Sequence, residues 1–321
     1  MNSSEVKNSA LPAYLMNAPF SLSTECPNNA FMMRLTPEER RVDGDKALNQ
    51  WLKLYRFLSA RSLVYLLPSK DGLQDQAYVA NLGVVLPHVK ENVAVISNFR
   101  SEVRRGETQV GDEFFRGMGF DTVIAPEYFE GEADLKYLRD NIFFGAHGMR
   151  TSLSALGWFR ERYDMQIIPI RMRDEFFFHL DCLVFPLSKE KVVLCAELCG
   201  RDALAEIERV AEIIDITYDV ARNGLTNSVR CGNHVLCDSS LSELKPTDEM
   251  YALERNKVEE LSRICARNGL EPAIFNLSEF DKSGAALSCL VMHLNYASLG
   301  ERGRSSEMDK APARRYHMSL S

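Results

Sequence analysis

One cysteine of the chain stands where a nucleophile would be useful. Cys289 follows a turn of small residues, Ser283–Ala286, and is predicted to lie at the start of an apolar strand. The small residues would let a substrate approach the thiol closely. A thiol attacks well once it is ionised, because its pKa falls or because a cationic substrate assists it. The ordinary alternative is a core cysteine, since thiols are commonly buried.

An imidazole and three carboxylates accompany this thiol. His179 and Asp181 are two positions apart in an apolar stretch, so strand alternation would turn both to the same face. Two ionisable groups on one face of a buried strand are costly unless they are used, although an isolated histidine can also be a core residue. Glu130 and Asp134 lie in a tight acidic turn, which could instead face solvent. Together these groups indicate a site for nucleophilic attack on a cationic substrate.

The composition is that of a globular protein and narrows the classes of function. The chain has 321 residues, of which 45% are hydrophobic and 26% charged, with a net charge of −7. This acidic balance disfavours a nucleic-acid partner, which would usually require a basic patch. No apolar run of about 18 residues occurs, and residues 1–10 lack the apolar core of a signal peptide, so we expect no membrane span. The sequence therefore predicts a cytoplasmic protein.

The eight cysteines argue against a metal site. They form no CxxC pair and have no histidine nearby at zinc-ligand spacing. No GxGxxG motif follows a first strand, so a dinucleotide-binding sheet is not indicated either. We therefore predict that the protein uses no metal and no other cofactor.

Short apolar strands alternate with amphipathic helices along the chain, which predicts the α/β class. Helices are predicted at residues 45–58, 112–118, 152–162, 202–213 and 248–268. Strands are predicted at residues 62–67, 77–86, 93–97, 121–125, 141–146, 165–170, 176–180, 183–187, 191–195, 273–275 and 287–294. No linker divides them, so residues 11–299 are predicted to form a single catalytic domain. We expect residues 1–10 to be disordered and residues 300–321, which are polar and aperiodic, to form a disordered tail.

At Cys289, His179 and Glu130 the sequence resembles the guanidine-modifying superfamily with the pentein fold. Arginine deiminases, dimethylarginine hydrolases, amidinotransferases and arginine dihydrolases belong to this superfamily. The resemblance extends from about Tyr14 to Asn295 and consists of four motifs in the expected order. It implies an α/β propeller of five ββαβ units around a pseudo-five-fold axis, which the periodicity of the sequence does not show by itself.

The resemblance also implies a role for each of the reactive side chains. Cys289 would attack the central guanidinium carbon and form a covalent thiouronium intermediate. His179, in a His-Leu-Asp motif, would protonate the leaving amine and then activate water. Glu130, in a segment similar to FEGxGD, would bind guanidinium nitrogens and orient the histidine. Asp134 and Asp181 would help to hold the cation.

Three further residues lie in segments that resemble family motifs. Asn81, in DQAYVANLG, matches an asparagine of the arginine dihydrolases where deiminases carry an aspartate. A neutral amide would clamp a cation less tightly, and could let the first product, which contains a ureido group, react again. Asn29 matches a polar residue of the dihydrolases' N-terminal segment, or is an ordinary turn residue. Arg150, in GMRTS, either contacts a substrate carboxylate or braces the carboxylate cluster.

The sequence therefore predicts a hydrolase acting on the guanidinium C–N bond of L-arginine or a close analogue. The asparagines favour arginine dihydrolase chemistry, which yields ornithine, carbon dioxide and ammonia. Hydrolysis that stops at citrulline, and amidino transfer to an amine, stay open within the superfamily. A pentein that binds a guanidino ligand without turnover is the alternative from another class. The expected partner is this small-molecule substrate, and a homo-oligomer is compatible with the sequence.

Overall fold

The computed structural model describes residues 3–299. Its strands are β1 (Ala13–Asn17), β2 (Leu63–Leu67), β3 (Gly83–Val85), β4 (Val93–Ile96), β5 (Asp121–Ile124), β6 (Leu135–Arg139), β7 (Ile142–His147), β8 (Gln166–Arg171), β9 (Val184–Pro186), β10 (Lys191–Leu194), β11 (Glu212–Asp215), β12 (Val229–Cys231), β13 (His234–Asp238), β14 (Glu271–Phe275) and β15 (Met292–His293). Its helices are α1 (Ser3–Lys7), α2 (Ala30–Arg34), α3 (Gly44–Ser59), α4 (Arg105–Gly117), α5 (Leu153–Tyr163), α6 (Arg201–Glu208), α7 (Tyr218–Arg222), α8 (Glu249–Arg267) and α9 (Ser278–Asp281). Short 3-10 turns precede β3, β6, β9 and β15, at Val79–Asn81, Gly131–Ala133, Leu180–Cys182 and Leu287–Leu290. Within residues 3–299, no helix has both the length and the apolar character needed to cross a membrane.

The strands form five three-stranded sheets of the same design. In each sheet the strand order is inner, middle and outer, as in β3-β4-β5. The inner strand is antiparallel to the middle strand, and the outer strand is parallel to it. The other sheets are β6-β7-β8, β9-β10-β11, β12-β13-β14 and β15-β1-β2. Parallel neighbours need a crossover connection, and a helix supplies it in each sheet: α3, α4, α5, α6 or α8. The predicted arrangement of five ββαβ units is confirmed.

The hydrophobic core forms between the sheets and these crossover helices. Helix α3 begins where the Asp43 side chain accepts a hydrogen bond from Lys46 N at 3.0 Å, which caps its first turn. One face of the helix is apolar and buried, through Ala47, Trp51, Leu54 and Leu58. This face packs in the same apolar cluster as Tyr14 and Met16 of β1. The helix predicted at residues 45–58 is confirmed, because its apolar spacing matches the period of a helix.

The two ends of the described chain are joined at one sheet. β15 pairs antiparallel with β1, with Tyr14 opposite His293. Next to this pair, Asn295 is 4% exposed and its side-chain oxygen accepts a hydrogen bond from Ala13 N at 3.1 Å. Its amide donates to Val6 O at 2.9 Å and to Leu11 O at 3.0 Å. Asn295 is therefore a polar clasp that holds the N-terminal segment against the closing strand.

The N-terminal segment differs from the sequence prediction. Residues 1–10 were expected to be disordered, but α1 is formed at Ser3–Lys7 and Val6 is fully buried in an apolar cluster. The Ser3 hydroxyl donates to Gly119 O at 2.5 Å. Val6 and these hydrogen bonds therefore hold a short helix in a segment whose polar sequence predicted disorder. The tail predicted at residues 300–321 lies outside the described residues.

Three predicted strands contain turns instead. Residues 77–86 contain a 3-10 turn followed by the short strand β3. Residues 287–294 contain a 3-10 turn followed by the short strand β15. Residues 176–180 contain no strand and lead into the turn Leu180–Cys182. A short apolar run does not distinguish a strand from a buried turn, because both are surrounded by apolar neighbours. Cys289 therefore lies in a turn rather than at the start of a strand, and His179 and Asp181 do not share a strand face.

Several strands are absent from the sequence prediction. α6 ends at Glu208 and β11 begins at Glu212, so the helix predicted at residues 202–213 is wrong at its C-terminal end. The sequence pattern also fails to predict β1, β6, β12 and β13. Every residue of β1 is buried, so its sequence shows no alternation of apolar and polar residues.

We expect Asn295→Ala to lower the free energy of unfolding by about 2–4 kcal/mol, since it leaves the buried groups Ala13 N and Val6 O and the partly buried Leu11 O without their partner. Urea unfolding followed by circular dichroism measures this loss. Asn8→Ala is the matched control, because Asn8 is exposed and its amide bonds Ser4 O at 2.9 Å within the same turn. Equal unfolding midpoints for the two variants would contradict the clasp.

Candidate active site

The turns before the inner strands bring together residues that are far apart in the sequence. The turn Val79–Asn81 packs against both Gly131–Ala133 and Leu287–Leu290. Gly131 has a φ of +68°, and a Cβ at this position would lie 2.5 Å from Ala80 O. Glycine is therefore required for two of the turns to approach this closely.

A pocket opens where these turns meet. The empty space in it is about 340 Å³, which includes space open to solvent. Five of the sequence-predicted residues line it: Asn29, Asn81, Arg150, His179 and Cys289. The remaining wall is formed by Asn28, Asp75, Tyr78, Arg104, Phe178, Ser283, Gly284 and Ala285. The Cys289 thiol, the His179 imidazole and polar amides thus share one opening.

Glu130 is buried behind the pocket wall, where it forms a hydrogen-bonded pair with His179 and an ion pair with Arg150. His179 Nε2 lies 2.8 Å from Glu130 Oε2, and the Glu130 side chain is fully buried. Arg150 Nη1 lies 3.4 Å from the same oxygen, and its Nη2 donates to Asn28 O at 2.7 Å. Burial favours the neutral acid, but the hydrogen bond with His179 and the charge of Arg150 outweigh it and lower the pKa of Glu130 to about 2. Of the two roles predicted for Arg150, these contacts match the bracing of the carboxylate.

Asn81 completes the surroundings of the imidazole. Its Nδ2 lies 3.3 Å from His179 Nε2, and the residue is 2% exposed. The Ser97 hydroxyl donates to Asn81 O at 2.5 Å, which holds the turn that carries the side chain. The ring nitrogen therefore faces both a carboxylate and a neutral amide.

Asp134 lies behind His179 and not on the pocket wall. Its Oδ1 accepts a hydrogen bond from Leu180 N at 3.1 Å, and its Oδ2 accepts one from the Thr151 hydroxyl at 2.6 Å. Burial raises the pKa of this carboxyl to about 6, and the His179 charge opposes the rise. The contacts support the backbone beside His179, whereas the sequence had predicted a contact with the substrate.

Asp181 contacts the cysteine and not the pocket wall. Its Oδ2 accepts a hydrogen bond from the Ser288 hydroxyl at 2.6 Å and lies 3.7 Å from Cys289 Sγ. Burial raises the pKa of the Cys289 thiol, and the nearby Asp181 carboxylate raises it further. These surroundings favour the neutral thiol, so a cation placed beside the sulfur would promote its ionisation.

Asn29 holds the segment before α2 against the pocket. Its Nδ2 donates to Ser283 O at 2.8 Å, and its side-chain oxygen caps α2 by accepting from Met32 N at 2.9 Å. It therefore makes the turn contacts that the ordinary alternative predicted, and it also lines the opening.

The sequence analysis missed two charged residues of the pocket wall. Asp75 is 3% exposed, and its Oδ2 accepts a hydrogen bond from Asn28 Nδ2 at 2.6 Å. Arg104 is paired with Glu107, with Nη2 2.7 Å from Oε2, and it donates to Tyr78 O at 3.1 Å. Arginine and glutamate three positions apart are a recognisable pairing signal. Asp75 gave no such signal, because a single carboxylate in a polar turn is common.

The chain was compared with known proteins, and no protein-family model matches it. The bifunctional arginine dihydrolase/ornithine cyclodeaminase AgrE of Nostoc sp. is 28% identical over 256 residues, which are 78% of this chain and 33% of the relative. The N(G),N(G)-dimethylarginine dimethylaminohydrolase of Mycobacterium tuberculosis is 22% identical over 284 residues, which are 88% of this chain and 85% of the relative. The solved N-terminal domain of ArgZ, an arginine dihydrolase from cyanobacteria, aligns with a TM-score of 0.76 at 23% identity, over 88% of this chain and 97% of that domain.

The chain has the pentein fold. The five ββαβ units and the alignment with the ArgZ domain lead to the same fold assignment. The chain spans about a third of the length of AgrE, which carries a second activity in its name. Within residues 3–299 of this pentein, no cluster of three or more histidine, cysteine or acidic residues could hold a metal ion.

The ion pair of this pentein predicts an acid-sensitive contribution to stability. The pKa of Glu130 is about 2 in the folded protein, against 4.5 for an ordinary glutamate. The carboxylate therefore stabilises the fold fully above a pH of about 4.5, and this contribution is lost as the pH falls towards 2. The difference in unfolding free energy between wild type and Glu130→Gln should shrink as the pH is lowered through this range.

Urea unfolding at a series of pH values measures that difference. Glu25→Gln, at an exposed glutamate, controls for the simple loss of a negative charge. A difference that does not vary with pH would show that the ion pair is absent.

Proposed function

We propose that the protein is a hydrolase of the guanidinium C–N bond, with arginine dihydrolase-type chemistry on L-arginine. The observation that carries the proposal is the position of His179 Nε2, which lies 2.8 Å from Glu130 Oε2 and 3.3 Å from Asn81 Nδ2. Cys289 lines the same pocket as this imidazole. A nucleophile, an acid–base group with its orienting carboxylate and a neutral amide are the parts that the chemistry needs.

In the proposed mechanism the guanidinium ion assists ionisation of Cys289, which then attacks the central carbon. His179 donates a proton to the departing nitrogen, so that ammonia leaves and a thiouronium remains on the sulfur. His179 then accepts a proton from water as the water attacks, and the thiol departs as the leaving group. This first round converts arginine to citrulline. A second round on the ureido carbon consumes another water and yields ornithine, carbon dioxide and a second ammonia.

A charge elsewhere on the wall suits the amino-acid end of arginine. Asp75 supplies a carboxylate for an ammonium group, whereas the guanidinium groups of Arg104 and Arg150 on this wall are paired with Glu107 and Glu130. The names of AgrE and ArgZ, which describe arginine dihydrolases, support the same substrate class.

Asn81 favours the dihydrolase over two alternatives within the superfamily. A deiminase or a dimethylarginine hydrolase would release citrulline. The similarity to a dimethylarginine dimethylaminohydrolase makes that reaction an alternative. An aspartate at position 81 would bind the cationic substrate more strongly than the neutral first product. A neutral amide would bind the two with more similar strength. Amidino transfer would require an amine acceptor in place of water.

The proposal places the enzyme in the cytoplasm. All eight cysteines are free thiols, which agrees with a reducing compartment. A reducing environment would also keep the proposed nucleophile available for attack.

The direct test is to incubate the purified chain with arginine and to quantify ornithine, citrulline and ammonia together. We expect ornithine with about two ammonia molecules per arginine and little citrulline. Cys289→Ser should reduce turnover by about 1,000-fold or more, because an alcohol at neutral pH is a much weaker nucleophile than a thiolate. Cys26→Ser is the matched control, since Cys26 is exposed and lies outside the pocket, and it should retain activity.

Near-native activity of Cys289→Ser would refute the assignment of the nucleophile. Citrulline as the sole product of the wild type would reject the dihydrolase reaction in favour of a deiminase. Without turnover of arginine, but with a reactive Cys289, the substrate would have to be a modified guanidine or an amidino donor.

The identity of residue 81 should control where the reaction stops. Asn81→Asp places a carboxylate beside His179, which should hold the cationic substrate more firmly and favour the first hydrolysis. We expect the product mixture to shift from ornithine towards citrulline, as measured by amino-acid analysis over the course of the reaction. An unchanged ratio of ornithine to citrulline would show that Asn81 does not decide the second step.

A further inference from the structure

A second asparagine touches the proposed nucleophile. Asn227 lies two positions before β12, just as Asn81 lies two positions before β3, so the two occupy equivalent places in their units. Asn227 is 2% exposed, and its Nδ2 lies 3.7 Å from Cys289 Sγ. The sequence motifs did not single it out, because it lies in none of them.

The same asparagine also binds the backbone of the turn that carries the cysteine. Ser288 N donates to Asn227 Oδ1 at 2.8 Å, and it lies 3.2 Å from the carbonyl oxygen of Asn227. Ser288 immediately precedes the cysteine, so Asn227 fixes the backbone next to the sulfur. One side chain thus contacts both the nucleophile and its support.

These contacts determine which way the amide faces. A backbone N–H can only donate, so the atom that meets Ser288 N must be the amide oxygen. Cys289 Sγ lies 3.7 Å from Nδ2 and 3.8 Å from Oδ1, so both amide atoms are within reach of the sulfur. A neutral thiol can donate to an oxygen, but a thiolate can only accept. Ionisation of the cysteine therefore makes Nδ2 the favourable partner.

We propose that Asn227 is a thiolate-stabilising residue, which donates a hydrogen bond from Nδ2 to Cys289 Sγ while its Oδ1 holds the turn in place. The inference rests on the proposed function in one respect, namely that Cys289 acts as a nucleophile. It adds a donor that the three proposed catalytic groups do not provide.

The surroundings of the sulfur disfavour ionisation of the thiol, and this donor offsets part of that effect. The Asp181 carboxylate, 3.7 Å from Sγ, disfavours a second negative charge beside it. Lys136, on β6, favours that charge, and its ammonium lies 4.0 Å from Glu132 Oε1, which partly neutralises it. The hydrogen bond with Asn227 lowers the pKa of the Cys289 thiol, against the larger effects of burial and Asp181. The backbone hydrogen bond at Ala286 and the charge of Lys136 also favour the thiolate, and Asn227 is the side chain that adds a hydrogen-bond donor to them.

The test is the rate at which iodoacetamide alkylates Cys289, followed by mass spectrometry of its peptide from about pH 6 to pH 10. Asn227→Asp keeps an oxygen acceptor for Ser288 N and replaces the donor with a carboxylate. Asn227→Ala removes the donor without adding charge, and it serves if the aspartate variant does not fold. Thr226→Val is the matched control, because Thr226 is buried in the same loop and its hydroxyl has no partner within residues 3–299.

We expect Asn227→Asp to slow alkylation of Cys289 by about tenfold or more at neutral pH, which corresponds to a thiol pKa higher by about one unit. Asn227→Ala should slow it in the same direction and by less, and Thr226→Val should match the wild type. Wild-type rates in both Asn227 variants, or an equal slowing in Thr226→Val, would overturn the proposal. No substrate is present, so a protein that fails to hydrolyse arginine but shows this pattern would refute the proposed function alone.

Discussion

Burial of negative charge at the centre of the propeller governs the arrangement of the site. Glu130, Asp134 and Asp181 are each at most 1% exposed, and an unpaired carboxylate in such a place would be very costly. Each therefore requires donors, which come from segments up to 107 positions away: His179, Thr151 and Ser288, respectively. The bonds that make the buried charges tolerable are the same bonds that hold the imidazole and the thiol in position.

The five-unit design explains how one pocket acquires so many different side chains. The apolar clusters extend over strands and helices of several units, so each unit completes its core by packing against its neighbours. The turn that leads into each inner strand then points towards the same centre. The segment just before the inner strand carries a different polar or thiol side chain in each unit: Asn81, Asp134, Asp181, Asn227 and Cys289. Divergence at equivalent positions also hides the repeat from inspection of the sequence.

Much of the fold follows from sequence periodicity, but the centre of the molecule does not. The crossover helix α3 was predictable because Trp51, Leu54 and Leu58 mark one apolar face with the spacing of a helix. β1 was not predictable, because it is buried throughout and lacks alternation. Motif resemblance brought Cys289, His179 and Glu130 to one site before any geometry was known. Asp75 opens the segment DQAYVANLG but was not singled out there, and Asn227 lies in no motif, since the contacts of both residues lie with segments that are remote in the sequence.

The pairing of β1 with β15 closes the propeller and also places Cys289. Ala13 and Asn295, which are bonded beside this pair, are 282 positions apart, so the contact closes nearly the longest loop that the described chain allows. Contacts between such distant residues form late in folding because of their entropic cost. Cys289 lies three positions before β15, on the segment that makes the closing contact. A chain emerging from the ribosome can thus complete four units while β1 still lacks its inner neighbour, and the last strand and Cys289 then take their places in the same event.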